Sequence, residues 1–195
     1  PVTQPSTAAH TRDTHRIILA LIALSGLTGL GYEQVYHRLM VFVVGNSIYG
    51  LTILLAVFLG GMALGSYGGS RFSQSTRARR PVDPLLGLGL VELGLAAMAP
   101  LSLLFLHFLP DLLPLGASFW SDFGWRSALA FIAMAPVALL LGASFPLAIH
   151  GYVVGKEPHI GAGTAGVYAA NTLGAILGPL LTAFLLIPWL GIKGS

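Results

Sequence analysis

The sequence predicts an all-α protein that lives in a lipid bilayer, a polytopic bundle of about five transmembrane helices with a cytoplasmic N-terminus. Composition is the first observation. Of 195 residues, 55% are hydrophobic and 9% charged, with a mean hydropathy of +0.81. A water-soluble domain carries about 25% charged residues, so this chain has too few charges to coat a surface facing water. The second observation is patterning. A bilayer core needs about 20 apolar residues per helix, and five runs are long enough: 17–36, 41–67, 84–109, 127–154 and 163–190. The third is the placement of cations. With the N-terminus inside, Arg12, Arg16, Arg71, Arg77, Arg79, Arg80 and Lys156 fall on the inner side and Arg38, Arg126 and Lys193 on the outer. Cytoplasmic loops collect Lys and Arg, so this distribution sets the orientation.

Each element has its own signature. Residues 1–14 form a polar tail, and residues 15–195 form the bundle. The first helix begins where Ile17 opens an apolar run. The second is followed by the basic cluster Arg71, Arg77, Arg79 and Arg80. The third, fourth and fifth contain Pro100, Pro136, Pro146 and Pro179. Proline is tolerated in membrane helices where neighbours re-satisfy the backbone, and bends are expected there. The stretch 110–125 combines Asp111 and Asp122 with Phe119, Trp120, Phe123 and Trp125. Acids beside aromatics fit an outer interfacial segment, such as a short helix at headgroup level.

Small residues recur at four-residue spacing: Ser25 and Gly29 in the first helix, Gly61, Gly65 and Gly69 in the second, and Ala170, Gly174 and Gly178 in the fifth. Lipid tails are as apolar as leucine, so membrane helices associate by close packing, and small residues let backbones meet. These stripes are read as helix-packing faces.

Ionisable and amide groups inside the membrane are costly and need a partner or a wet cavity. Glu33 lies on the Ser25/Gly29 stripe of the first helix, facing the bundle. Glu92 sits within Leu90-Val91-Glu92-Leu93 of the third, Asn171 beside Tyr168 on the Gly174 face of the fifth, and Asn46 opens the second. One reading is a polar cavity for a cation or polar small molecule, lined by Glu33, Glu92, Asn171, Tyr168 and Asn46. The other is structural: a protonated carboxyl bonded to a carbonyl, and amides bonded across helices. Both stay open on sequence alone.

Several classes are excluded. There are no cysteines, so disulfides and Cys-ligated metals are ruled out. The histidines, including His37, His107 and His150, share no metal-ligand spacing with a carboxylate. Ser144, in Gly142-Ala143-Ser144-Phe145-Pro146, lacks nucleophile-elbow spacing. No strand precedes the glycines, so they form no phosphate loop. No cofactor, catalytic residue or nucleic-acid partner is expected. The partner is the lipid bilayer.

Three stretches carry a family resemblance. The first runs from Ser25-Gly26 through Tyr32-Glu33-Gln34-Val35-Tyr36-His37-Arg38-Leu39. The second is Gly45-Asn46-Ser47-Ile48-Tyr49-Gly50, with Phe58-Leu59-Gly60-Gly61-Met62-Ala63-Leu64-Gly65-Ser66 and Gly69-Ser70-Arg71. The third is Leu141-Gly142-Ala143-Ser144-Phe145-Pro146-Leu147, followed by Gly166-Val167-Tyr168-Ala169-Ala170-Asn171-Thr172-Leu173-Gly174-Ala175 and Ile187-Pro188-Trp189-Leu190-Gly191. Over nearly its whole length the chain resembles the membrane domain of bacterial fused proteins, part transporter-like (major-facilitator-like) and part spermidine-synthase-like. The resemblance implies a bacterial cytoplasmic membrane and a sixth helix after Pro188-Trp189-Leu190-Gly191. It also implies that any synthase-like catalytic domain lies outside these residues. Two functions are then expected: a binding or transport module for a polar or cationic molecule such as a polyamine, or a non-catalytic subunit that anchors an enzyme or packs into a larger membrane complex. An intramembrane enzyme is the weakest expectation, because no nucleophile–base pair is present.

Overall fold

Main-chain N–H and C=O groups find no water in hydrocarbon, so a segment that crosses it must close its own hydrogen bonds. The chain does this with helices. The computed structural model describes residues 6–44, 48–79, 84–108, 119–153 and 160–190, and among them there are helices and no strands. In order these are α1 (Ser6–Val44), α2 (Ile48–Arg79), α3 (Pro84–Phe108), α4 (Phe119–Val153) and α5 (Ile160–Leu181). After α5, a π-helical turn (Thr182–Leu186) and a last α-helical turn (Ile187–Leu190) continue the rod.

Among the described residues, five stretches are long and apolar enough to cross a membrane: Asp13–Leu39, Ile48–Gln74, Leu85–Leu106, Phe123–Val153 and Ile160–Trp189. Large apolar side chains point outward all around them, among them Leu64, Leu93, Leu173, Phe184 and Trp189. A monomeric soluble protein rarely exposes contiguous apolar patches beyond a few hundred Å²; hydrocarbon is the solvent that suits this surface.

The helices differ from the apolar runs at their ends. α1 starts at Ser6, so part of the polar tail is helical, and it continues past His37 and Arg38 to Val44. The aromatic stretch divides. Phe119, Trp120, Phe123 and Trp125 belong to the first turns of α4, and the Phe123 ring meets Tyr49 of α2 edge-on at 5.9 Å. Residues 109–118, like Asn46, lie outside the described residues. The helices run through Pro100, Pro136, Pro146 and Pro179. Proline withholds one N–H from the ladder, and the π-helical turn begins three residues after Pro179.

Two close crossings organise the bundle. α2 lies against α4, and α1 against α5. A Cβ on Gly65 would overlap the carbonyl oxygen of Leu139, and one on Gly69 would come within 2.9 Å of the carbonyl oxygen of Ala143. In the other pair, a Cβ on Gly174 would overlap the carbonyl oxygen of Ala23, and one on Gly178 that of Leu27. Each helix returns the contact. Gly142 of α4 abuts the Met62 carbonyl, and Gly26 of α1 abuts the Asn171 carbonyl.

These contacts repeat in register. Ala23, Gly26 and Leu27 of α1 correspond, at one constant offset, to Leu139, Gly142 and Ala143 of α4. Met62, Gly65 and Gly69 of α2 correspond, at a second constant offset, to Asn171, Gly174 and Gly178 of α5. The match extends to Leu64-Gly65 against Leu173-Gly174, and to Tyr36 against Tyr152. Along each close crossing, residue numbers rise together in both helices, whereas α1 runs against α4 and α3 against α4. The repeat α1–α2 therefore recurs upside down as α4–α5, the inverted arrangement that recurs in membrane transporters.

Buried side chains fill the seams. Tyr36, Leu54, Phe58, Leu106 and Met134 form one cluster, and Ile18, Ile22, Leu88, Leu147 and Val167 another. The Tyr36 hydroxyl donates to Ser102 Oγ at 2.8 Å, and Ser102 donates to the Ala133 carbonyl at 2.6 Å. One buried hydroxyl chain thereby ties α1, α3 and α4 together. Gly65→Ala or Gly174→Ala should destabilise the bundle by about 1–3 kcal/mol, the usual cost of overpacking. Gly68→Ala, where a Cβ meets nothing within 4 Å, should be neutral. Thermal unfolding in detergent, followed by tryptophan fluorescence, checks the contrast.

Candidate functional site

Between the two repeats lies a cavity of about 380 Å³, within the usual size of small-molecule sites. α1 contributes Ser25, Gly26 and Gly29, and α4 contributes Gly142, Ser144 and Phe145. α2 adds Phe58, Met62 and Ser66, and α5 adds Tyr168, Asn171 and Ala175. The lining follows the internal symmetry: Gly26 answers Gly142, Met62 answers Asn171, and Ser66 answers Ala175. Backbone contact at the glycines removes side chains from the floor. What remains is space, with apolar walls and a few polar groups.

Those polar groups are unevenly placed. Asn171 stands where the other repeat has Met62, so one wall presents an amide and the other a thioether. A Cβ at Gly26 would lie 2.8 Å from Asn171 Oδ1, so Gly26 makes room for the amide side chain. The Ser25 and Ser144 hydroxyls lie 3.2 Å apart, and Ser144 Oγ is 2.8 Å from the Leu141 carbonyl. Behind them, Glu92 of α3 reaches Ser25 from outside the cavity wall. Its Oε1 is buried and has no hydrogen-bond partner among the described residues.

Proton counting gives this row its chemistry. Glu92–Ser25, Ser25–Ser144 and Ser144–Leu141 are three hydrogen bonds, and each needs one proton. The two hydroxyls supply two. The third comes from Glu92 when it is protonated, giving a row in which Glu92 donates to Ser25, Ser25 to Ser144 and Ser144 to the Leu141 carbonyl. With Glu92 ionised, Ser25 donates to the carboxylate and Ser144 to the Leu141 carbonyl, no hydrogen is left between the two hydroxyls, and a hydroxyl oxygen is free to accept from an N–H donor in the cavity.

Of the residues singled out in the sequence, Tyr168 and Asn171 line the cavity and Glu92 is one hydroxyl away. Tyr168 stands at the rim, 62% exposed, with its ring edge-on to Phe145 at 6.2 Å. Glu33 is half-buried about one turn beyond Gly29 and Leu30 on α1 and is not part of the lining. Gly29 packs on the Leu141 side chain and Gly61 on the Cβ of Ala138. Among the described residues, no three of His, Asp and Glu gather as a metal site. Ser25 and Ser144 are the polar links that sequence reasoning did not assign. A serine on a small-residue stripe looks like packing until the helix opposite is known to bring a second hydroxyl.

No family model matches the chain, and no solved structure matches it. Three curated proteins do. Polyamine aminopropyltransferase 2 of Streptomyces coelicolor is 27% identical over 175 residues, covering 90% of this chain and 30% of that protein. Polyamine aminopropyltransferase 1 of the same organism is 26% identical over 192 residues, covering 98% and 33%. Polyamine aminopropyltransferase of Corynebacterium efficiens is 27% identical over 179 residues, covering 90% and 31%. The chain spans about a third of the length of these relatives. That similarity and the five apolar helices together fit the membrane part of a spermidine-synthase-like protein.

Proposed function

We propose that this bundle is the membrane-embedded part of a bacterial spermidine-synthase-like fusion, set in the cytoplasmic membrane with its N-terminus inside. Its cavity binds a small polar or cationic molecule, acting as a binding or transport module, while aminopropyl-transfer chemistry belongs to a synthase-like domain outside these residues. The observation that carries the reading is the Glu92–Ser25–Ser144 row at the edge of a cavity on an inverted repeat. A carboxyl group kept inside a membrane protein without a full set of partners is a functional group by default, and transporter sites recur at the interface between inverted repeats. The relatives are named for polyamines, which carry N–H donors and positive charge. Both match what the row lacks when Glu92 is ionised. In this reading an ammonium group donates to Ser25 or Ser144, Asn171 accepts a second N–H, and Glu92 balances the charge through Ser25.

The test is spermidine or putrescine uptake into proteoliposomes, paired with calorimetric binding to the purified protein. Glu92→Gln and Asn171→Leu should each weaken binding by roughly 10- to 100-fold, corresponding to loss of a charge-assisted hydrogen bond. Glu33→Gln, outside the lining, should have the smaller effect. Absence of both uptake and binding in the unmodified protein would overturn the proposal. In that case the anchoring role would stand, and bulky substitutions at Gly61 or Gly174 should then disrupt co-purification with the catalytic part.

The row also makes a stability prediction. Ser25→Ala leaves Glu92 without its hydroxyl partner and should cost about 1–3 kcal/mol. In a Glu92→Leu background the same substitution should cost much less, because no buried acceptor is then stranded. A double-mutant cycle on unfolding midpoints in detergent measures the difference.

A further inference from the structure

Glu92 meets the cavity through a single hydroxyl. Ser25 and Ser144, 3.2 Å apart, belong to the lining, and Glu92 does not. Ser25 bonds its carboxyl group, and Oε1 is buried with no hydrogen-bond partner among the described residues. α3 packs on α4 and on α1. The clusters that border the neighbouring Val91 contain two titratable side chains, Tyr32 of α1 and Tyr152 of α4. Phenols carry no charge near neutral pH. His15, against the Tyr152 ring at 4.7 Å, stands about three turns from Ser25 along α1. Glu33, outside the lining, has His37 as its charged neighbour. Among the described residues, burial and Ser25 act on Glu92, and no charged side chain does.

Two arrangements leave no buried charge unbalanced. In the first, Glu92 is a neutral acid that donates to Ser25 and closes the row, with no cation in the cavity. Oε1 is then a carbonyl oxygen without a donor, a smaller penalty than half of a bare carboxylate. In the second, Glu92 is ionised, Ser25 donates to it, and an ammonium group in the cavity donates to the hydroxyl oxygen left free. The mixed arrangements are costly. A carboxylate without a cation, or a cation beside a neutral acid, is a lone charge in apolar surroundings.

We infer that the cavity exchanges cation for proton, one ammonium group entering as one proton leaves Glu92. The inference rests on the cation-binding reading of the cavity and adds the coupling to it. The proton has a route. Glu92 gives its hydrogen to Ser25 Oγ while the hydrogen that Ser25 carried passes to water in the cavity, directly or through Ser144. The Ser25 hydroxyl then turns to donate to the carboxylate. One O–H bond of Glu92 breaks, one forms on water, and the ammonium group keeps its hydrogens. The count follows the site, so putrescine and spermidine should each release one proton despite their different charges.

The test uses the full-length polypeptide in lipid nanodiscs, with putrescine as the probe. Infrared spectra follow the carbonyl stretch of protonated carboxyl groups. Calorimetry in buffers of different ionisation heat counts the protons released on binding. Asn171→Leu marks the part of the binding that belongs to the cavity. The expected result is an acid band that Glu92→Gln removes and that saturating putrescine also removes. Cavity affinity should rise roughly tenfold per pH unit while Glu92 is protonated, the slope for release of one proton. In Glu92→Gln the slope should be flat. Cavity binding with the acid band unchanged, or with no such band to lose, overturns the exchange and leaves the binding reading standing. Undiminished proton release in Glu92→Gln would mean that the amine gives up the proton, and the exchange falls. Should Glu92→Gln fail to fold, the unmodified protein decides alone, since a pH-independent cavity affinity overturns the exchange. Absence of any binding that Asn171→Leu weakens overturns both readings.

Discussion

The bundle depends on two crossings where no Cβ stands between backbones. Gly65 against Leu139 and Gly174 against Ala23 bring main chains so close that a methyl group would overlap a carbonyl oxygen. In a bilayer no hydrophobic force drives helices together, so such proximity supplies the dispersion contacts that association needs. Because both crossings use helices that run in the same direction, and because the second is the first turned over, one packing solution serves twice. The cavity follows from this. Where glycines fill both centres, the residues flanking them on α1 and α4 cannot close the space, and α2 and α5 stand apart across it.

Much of this was legible in the sequence. Gly61, Gly65 and Gly69, and Ala170, Gly174 and Gly178, are spaced for packing whatever their partners, since the four-residue interval is a property of one helix. The spans were legible because hydrocarbon admits so few backbone solutions. The ends were less so. α1 extends through Arg12 and Arg16 and past Arg38, because helical hydrogen bonding continues wherever nothing breaks it, while hydropathy registers only the apolar stretch. The aromatic stretch before α4 reads as an interfacial segment by composition, but Phe119 to Trp125 continue directly into the helix.

The site was legible only in part, for a related reason. Glu92, Asn171 and Tyr168 stand out because polar or amphipathic groups are rare in such runs, and rarity is visible in one dimension. Their meeting place is not. Glu33 shares a stripe with Ser25, which gave it the same expected direction as the cavity, yet it sits about one helical turn beyond the last lining residues of α1, Gly29 and Leu30. Ser25 and Ser144 were hidden because a hydroxyl in a membrane helix ordinarily bonds its own backbone, as Thr28, Thr52 and Thr172 do here. Only the antiparallel register of α1 and α4 brings two serines face to face.

The departures from internal symmetry gather the polar groups of the cavity. A perfect inverted repeat would line the cavity identically from both sides. Here Asn171 stands where the other repeat has Met62, Ser25 stands where it has Leu141, and Ser144 corresponds to Thr28, whose hydroxyl bonds the backbone of its own helix. The shared glycines maintain the fold, and the unshared polar residues break its symmetry on the side that Glu92 approaches. A purely structural bundle has no need of that bias, since Met and Leu would fill the space at no desolvation cost, and burying a polar group without full compensation costs about 1–3 kcal/mol. The polar residues gather at one edge of an otherwise apolar cavity, and their proton count closes only with a protonated carboxyl or a donated N–H. That concentration at one edge is the feature on which the proposed ligand-binding reading rests.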